Sequence, residues 1–154
     1  MTELARSVLS ALNGKTLCTA ESCTGGMIGS VLTGVPGSSA VYKGGIISYT
    51  NEIKGCLLGV SPELLASKGA VSAPVAEAMA KGAREALQSD IAVSVTGLAG
   101  PGGDEFGNPV GTVYVGYCEE GLCLSREFHF VGDRETVRRQ SVQAALSLIL
   151  EHNR

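Results

Sequence analysis

The chain carries at residues 16–32 the sequence TLCTAESCTGGMIGSVL, in which a strand, a loop and a helix follow one another. Residues 16–20 are a short apolar run that predicts a buried strand. From Met27 to Leu32 the apolar residues recur at helical spacing, and polar residues and glycines fill positions 21–26 between the two runs. A strand followed directly by a helix is the repeating unit of α/β proteins. This stretch therefore predicts the fold class.

The rest of the chain alternates in the same way. Apolar spacing predicts five further helices: one ending at Asn13-Gly14, one capped by Asn51, one starting at Ser61-Pro62, one over residues 72–88, and one capped by Asp133. β-rich runs predict strands over residues 42–49, 91–96, 112–118 and 122–130, and the last two form a hairpin. We therefore expect residues 1–154 to form one α/β domain, a three-layer α/β/α sandwich with a five-stranded mixed sheet.

Composition excludes several classes of function. The net charge is −3 and no basic run occurs, which argues against nucleic acid as a partner. No apolar stretch is long enough to cross a bilayer, so we expect no membrane partner. Glycine- and alanine-rich helices favour close association, so we expect a homo-oligomer, a dimer or higher.

The cysteines indicate a cytoplasmic protein with reduced thiols. There are five of them, an odd number, and none forms a Cys-x-x-Cys pair. His129 and His152 are the only histidines, and neither has the spacing of a metal ligand. We therefore expect no metal site and no cofactor.

Two glycine-rich loops are candidates for chemistry, because ligands of α/β sheets bind beyond the carboxyl ends of strands. They are residues 21–26 and residues 96–103. The first matches neither the Walker loop, nor the dinucleotide-binding motif, nor the Gly-x-Ser-x-Gly of common hydrolases. In one interpretation Ser22 or Thr24 only caps the helix that follows. In the other, Ser22 is a nucleophile and nearby amides stabilise an oxyanion.

A serine nucleophile needs a base, and the sequence offers a lysine. Neither histidine is in a position that suggests a Ser-His-Asp triad. Lys54 follows the strand that ends at Tyr49, and burial would lower its pKa enough for it to act as a base. In the alternative interpretation Lys54 is an ordinary exposed lysine of a helix, and Tyr49 is a tyrosine at the edge of the core. If both residues are functional, Tyr49 relays a proton or orients Lys54.

Two further side chains leave alternatives open. Arg134 and Arg138 lie one helical turn apart, which suits either an anion clamp or a solvated face shared with Glu135. Cys23 would be the nucleophile of a cysteine hydrolase, but no histidine is placed to form the thiolate pair.

Six motifs carry a resemblance to a known family: TAESCTGG, GGIISYTNEIK, GAVSAPVAEAMAKGA, AVSVTGLAGPGG, PVGTVYVG and GDRETVRRQSVQAAL. In this order they resemble the CinA carboxy-terminal domain family, whose single-domain members include PncC-type nicotinamide mononucleotide deamidases. The resemblance covers nearly the whole chain. It implies an α/β/α fold with a five-stranded mixed sheet, and hydrolysis of nicotinamide mononucleotide to nicotinate mononucleotide and ammonia, without a cofactor.

The resemblance also implies roles for individual residues. It gives Ser22 as nucleophile, Lys54 as general base, Tyr49 as a catalytic tyrosine and Thr96 as a substrate contact. Further expected substrate-binding residues are Cys23, Thr24, Gly25, Gly26, Gly97, Gly100 and one or both of Arg134 and Arg138. The family includes members without clear deamidase activity, so the alternative is a non-catalytic nucleotide-binding, competence- or damage-inducible module. If the loop with Asp104 and Glu105 covers the substrate, its charge weakens binding of an anionic nucleotide.

Overall fold

The computed structural model describes residues 1–154, and its elements alternate as the sequence predicts. The helices are α1 (Thr2–Ala11), α2 (Met27–Thr33), α3 (Asn51–Leu58), α4 (Pro62–Lys68), α5 (Ala73–Leu87) and α6 (Arg134–His152), with a 3₁₀ turn at Ser38–Ala40. The strands are β1 (Leu17–Glu21), β2 (Tyr42–Ile47), β3 (Ile91–Gly97), β4 (Thr112–Glu119) and β5 (Leu122–His129). No helix is both long and apolar enough to cross a membrane.

The five strands form one mixed sheet in the order β2-β1-β3-β4-β5. β1 pairs parallel with both β2 and β3, whereas β4 is antiparallel to β3 and to β5. The carboxyl ends of β1, β2 and β3 therefore meet at one edge of the sheet. The chain segments that leave these three strands carry most of the predicted site residues.

Two apolar cores lie on opposite faces of the sheet, which confirms the three-layer architecture. Side chains alternate along β1, so that Leu17 belongs to the core under α1, α2 and α6 while Cys18 belongs to the core under α3, α4 and α5. Every residue of β1 is buried, as expected of a central strand covered on both faces.

Several predicted boundaries differ from the observed ones by one to three residues: β1, for example, begins and ends one residue later than predicted. Three further differences have an identifiable cause. Thr50, not Asn51, caps α3, because the Thr50 side chain accepts a hydrogen bond from the amide of Ile53 at 3.4 Å. β2 stops at Ile47 instead of residue 49, since its only neighbour, β1, has no residue left to pair with beyond Glu21. β5 ends one residue earlier than predicted, where β4 begins.

The expectation of five reduced cysteines is wrong for two of them. Cys118 and Cys123 face each other across the β4–β5 hairpin, with their Cα atoms 4.2 Å apart, and are joined by a disulfide. The reason is the tight turn, which places residues only five positions apart directly opposite each other. Cys18, Cys23 and Cys56 are free thiols.

One glycine fixes how closely two helices approach. Gly82 lies in the middle of α5, where a Cβ atom would sit 1.9 Å from the carbonyl oxygen of Leu58 at the end of α3. Any side chain here would push the two helices apart, because a backbone carbonyl cannot swing away as a flexible side chain can. α5 and the sheet thereby hold α3, the helix that contains Lys54, in place.

Candidate active site

A cleft of about 290 Å³ opens at the carboxyl ends of the parallel strands. It is lined by eight predicted site residues: Ser22, Cys23, Tyr49, Lys54, Thr96, Gly97, Gly100 and Arg134. The other four, Thr24, Gly25, Gly26 and Arg138, do not line it. Asn51, Ala70 and Val71 line the cleft without having been predicted as site residues, although they lie within the motifs GGIISYTNEIK and GAVSAPVAEAMAKGA.

Ser22 and Lys54 are in direct contact within the cleft. The Lys54 Nζ donates a hydrogen bond to the Ser22 Oγ at 3.1 Å and further hydrogen bonds to the carbonyl oxygens of Ser48 at 2.8 Å and Tyr49 at 3.3 Å. Lys54 is only 1% exposed, so it is not the ordinary surface lysine of the alternative interpretation. These contacts hold the amine against the serine hydroxyl.

Burial gives Lys54 the pKa of a usable base. Removing the ammonium group from water lowers the pKa of Lys54 from 10.5 to about 8, and a small opposing effect comes from Cys23. At pH 7 about a tenth of such a lysine is neutral, and at pH 8 about half. The side chain can therefore take up a proton from Ser22 near neutral pH.

Cys23 lacks the properties of a nucleophile. Its side chain is buried, and burial raises the pKa of the thiol to about 11, so that the reactive thiolate is rare at neutral pH. Neither histidine lines the cleft: His129 is bonded to Glu127 on β5, and His152 stacks on Tyr117. The cysteine-hydrolase alternative therefore has no histidine to form the thiolate pair.

The start of α2 is capped by a carboxylate that the sequence analysis overlooked. Neither Ser22 nor Thr24 caps the helix; the Thr24 hydroxyl instead donates to Glu21 Oε1 at 2.7 Å. The Glu21 carboxylate accepts from three backbone amides, those of Gly26, Ile28 and Gly29, at 3.2, 2.9 and 3.0 Å. An acidic residue just before a helix could have signalled this arrangement, since carboxylates favour helix N-termini.

Of the four amides of residues 23–26, which follow Ser22, two are already engaged. The amide of Gly25 donates to the carbonyl oxygen of Ser22 at 3.1 Å, and that of Gly26 donates to Glu21. The amides of Cys23 and Thr24 donate to no acceptor in another residue of the protein. Only these two remain to stabilise negative charge beside Ser22.

The two arginines of α6 occupy different places. Arg134 lies at the mouth of the cleft and donates to the carbonyl oxygen of Gly100 at 2.6 Å and to the Tyr49 hydroxyl at 3.2 Å. Arg138 lies behind the loop of residues 22–26 and donates to the carbonyl oxygens of Cys23 at 3.0 Å and Thr24 at 3.1 Å. Arg134 is thus accessible to a bound anion, whereas Arg138 braces the loop.

Tyr49 and Thr96 form parts of the wall. The Tyr49 side chain is 58% exposed, and its hydroxyl bonds to Arg134; Tyr49 bonds to Lys54 through its carbonyl oxygen alone. Tyr49 therefore orients the lysine through its backbone, and its phenol makes no hydrogen bond to Lys54. The Thr96 hydroxyl donates to the carbonyl oxygen of Ala70 at 2.8 Å and so ties together two segments that line the cleft.

The charged side chains that line the cleft are both basic, Lys54 and Arg134. Asp104 and Glu105 do not line it: Asp104 accepts hydrogen bonds from the amides of Phe106 and Asn108 within its own loop, and Glu105 borders a neighbouring groove. The acidic loop therefore places no carboxylate in the cleft. No cluster of three or more metal-ligating side chains occurs in the structure.

Comparison with known proteins assigns the chain to a family. A family model described as the CinA C-terminal domain matches residues 1–152. A CinA-like protein from a Geobacter species is 55% identical over 126 residues, which are 82% of this chain and 30% of that protein. The chain spans about a third of the length of the curated relatives it matches.

Solved structures agree in fold over nearly the whole chain. The competence/damage inducible protein CihA from Agrobacterium tumefaciens superposes with a TM-score of 0.95 at 40% identity, covering 99% of this chain and 95% of that one. The competence damage-inducible protein A (ComA) from Klebsiella pneumoniae has a TM-score of 0.95 at 38% identity, covering 97% and 94%.

Proposed function

The chain belongs to the CinA C-terminal domain family, and from that premise we propose that it is an amidohydrolase that converts nicotinamide mononucleotide into nicotinate mononucleotide and ammonia. The observation that carries the proposal is the contact between Ser22 and the buried Lys54, 3.1 Å apart in a cleft. A serine paired with a partly neutral lysine is suited to acyl transfer. Such a pair needs neither a metal ion nor a redox group.

The first half of the reaction forms an acyl-enzyme. Neutral Lys54 removes the proton from the Ser22 hydroxyl, and the Ser22 Oγ attacks the carboxamide carbon of the nicotinamide ring. Negative charge then develops on the carboxamide oxygen. The unengaged amides of Cys23 and Thr24 are the donors available to stabilise it.

The second half releases ammonia and restores the enzyme. The Lys54 ammonium passes its proton to the carboxamide nitrogen, the carbon–nitrogen bond breaks, and ammonia leaves. Lys54, neutral again, takes a proton from a water molecule whose oxygen attacks the acyl carbon. The proton then returns to the Ser22 Oγ as the ester bond breaks, and nicotinate mononucleotide departs.

The charge of the cleft supports an anionic substrate. Its two charged side chains are cationic, with Lys54 at the floor and Arg134 at the mouth. If the carboxamide sits at Ser22, the phosphate extends towards the mouth, where Arg134 can exchange its bond to Tyr49 for a bond to a phosphate oxygen. At about 290 Å³ the cleft is near the lower end of small-molecule sites, which favours a mononucleotide over a dinucleotide.

Ammonia release by the purified protein tests the proposal. We expect stoichiometric ammonia and nicotinate mononucleotide from nicotinamide mononucleotide in the presence of a chelator, and no release with Ser22→Ala. Binding of the nucleotide without turnover would contradict the proposal. That outcome would favour the alternative, a non-catalytic nucleotide-binding module of the competence- or damage-inducible type.

A further inference from the structure

Glu21 is a buried carboxylate that the proposed reaction does not use. It immediately precedes the nucleophile Ser22 and is only 2% exposed. It forms no ion pair: the salt bridges of the protein, among them Arg126–Glu151 and Arg139–Glu135, lie elsewhere on the surface. Burying a carboxylate without a cation is costly unless hydrogen bonds replace water, so its hydrogen bonds must be numerous.

Those hydrogen bonds all come from the loop of residues 22–26, β1 and the first turn of α2. Oε1 accepts from the Thr24 hydroxyl and from the amides of Gly26 and Ile28, while Oε2 accepts from the amide of Gly29 and, at 3.4 Å, from the Thr19 hydroxyl. One side chain therefore fixes both ends of the loop that begins at Ser22.

The hydrogen bonds also decide which amides of the loop are left over. The amide of Gly26 points at Glu21, and that of Gly25 points back at the Ser22 carbonyl oxygen. Both glycines adopt positive φ angles, 58° and 104°, which the turn requires. The amides of Cys23 and Thr24, the two residues that follow Ser22, are the pair that this conformation leaves without an acceptor in another residue.

Arg138 holds the same loop from the opposite side. Its guanidinium binds the carbonyl oxygens of Cys23 and Thr24. In a planar trans peptide the N–H points away from the C=O, so the N–H of Thr24 points away from Arg138. The carboxylate on one side and the guanidinium on the other thus give this peptide a fixed orientation.

We propose that Glu21 is a positioning residue for acyl transfer: its carboxylate holds the loop in the conformation that presents the amides of Cys23 and Thr24 to the oxyanion formed at Ser22. The inference rests on the proposed serine mechanism. A carboxylate suits the role because it only accepts hydrogen bonds and has two oxygens. A glutamine would keep one acceptor and turn an NH₂ group towards backbone N–H donors.

Glu21→Gln tests the role in the complete chain. We expect kcat for nicotinamide mononucleotide to fall by about 10- to 100-fold, as when an oxyanion donor is misplaced, with KM changed by less than about threefold. Thr24→Val removes a single hydrogen bond to the same carboxylate, so it should also lower kcat, but by a smaller factor than Glu21→Gln. Leu12→Ala is the matched control, because it creates a cavity in the core next to the end of α1 and lowers thermal stability without touching the cleft.

Affinity for a transition-state analogue separates positioning from simple stability. An analogue with an aldehyde in place of the carboxamide can form a hemiacetal with Ser22 and needs the oxyanion donors. Glu21→Gln should weaken its binding by the same factor as kcat/KM, whereas Leu12→Ala should leave it unchanged. If Glu21→Gln lowers only thermal stability and binds the aldehyde as tightly as the wild type, the proposal is wrong.

A probe of Ser22 reactivity keeps the test independent of the substrate. A small fluorophosphonate labels activated serines without recognising a nucleotide, and Ser22→Ala supplies the background. If the wild type is labelled but releases no ammonia, the substrate assignment fails, while a labelling rate reduced about tenfold or more in Glu21→Gln still supports the positioning role. Equal labelling of wild type and Glu21→Gln, or no labelling of the wild type, overturns it.

Discussion

Lys54 Nζ lies 3.1 Å from Ser22 Oγ although 32 residues separate the two in the chain. The contact arises because β1 and β2 are parallel, so the loop after β1 and the helix after β2 begin at the same edge of the sheet. The carbonyl oxygens of Ser48 and Tyr49 then hold the amine in position.

Replacing the nucleophile should abolish turnover, whereas replacing its neighbouring thiol should not. We expect Ser22→Ala to lower kcat/KM for nicotinamide mononucleotide by about 10⁴-fold or more. Cys23→Ala should stay within about threefold of the wild type, because the raised pKa keeps Cys23 protonated. Steady-state ammonia release measures both. Equal losses in the two variants would contradict the serine assignment.

The rate should rise with pH because the base must be neutral. With a pKa of about 8 for Lys54, kcat/KM should increase about tenfold per pH unit below pH 8 and level off above it. Lys54→Arg, which stays charged, should be inactive. The matched control is Lys68→Met on the exposed surface of α4, and it should reproduce the wild-type profile. A rate independent of pH between 6 and 9 would exclude Lys54 as the base.

The same pKa should appear as a pH dependence of stability. The unfolded lysine keeps its proton up to about pH 10.5, whereas the folded one loses it near pH 8, so between these values the unfolded state binds more protons. The free energy of unfolding of the wild type, relative to Lys54→Met, should therefore rise by about 2–3 kcal/mol between pH 8 and pH 10. Below pH 8 the difference should be constant.

Urea unfolding of the wild type and of Lys54→Met at several pH values measures the difference between their free energies of unfolding. Subtracting the Lys54→Met values removes the contribution of the other titrating groups. Lys68→Met, which replaces an exposed lysine of α4, is the control for the loss of one positive charge. If the free energy of unfolding of the wild type, relative to Lys54→Met, falls with pH instead of rising, the folded protein favours the ammonium form of Lys54.

The two arginines should affect different kinetic constants. Arg134→Ala should raise KM for nicotinamide mononucleotide by about 10- to 100-fold with little change in kcat, because it removes a charge-assisted bond to the phosphate. With nicotinamide riboside, which lacks the phosphate, the substitution should have no effect. Arg138→Ala should instead lower kcat, since it releases the carbonyl oxygens of Cys23 and Thr24. Identical effects of the two substitutions would contradict the separate roles.

Local patterns predicted the elements well and their ends less well. The apolar spacing of α5 and the caps at Ser61 and Asp133 depend on neighbouring residues alone, so the sequence sufficed for them. The ends of β2 and β5 depend on where the partner strand stops, which no local pattern encodes. The Cys118–Cys123 pairing was missed for a similar reason, because it depends on the register of the hairpin.

The candidate site was recognised as a set of residues but not as a geometry. The sequence pattern placed Ser22 and Lys54 in different elements and left the exposure of Lys54 open. Burial, and with it the lowered pKa, depends on how α3 is oriented against the sheet. The role of Glu21 was missed because its partners are mostly backbone amides, which every residue except proline has and which no side-chain motif marks.

Under the proposed mechanism, Gly82 extends the requirements for catalysis to a helix that contains no reacting group. The helix α3 can deliver Lys54 to the serine only while α5 lies against its last turn, and a single methyl group on residue 82 would collide with the backbone there. A selection for loss of activity should therefore recover substitutions of Gly82 together with those of Ser22 and Lys54. Such variants would keep every catalytic side chain and still fail, because the base no longer reaches the hydroxyl.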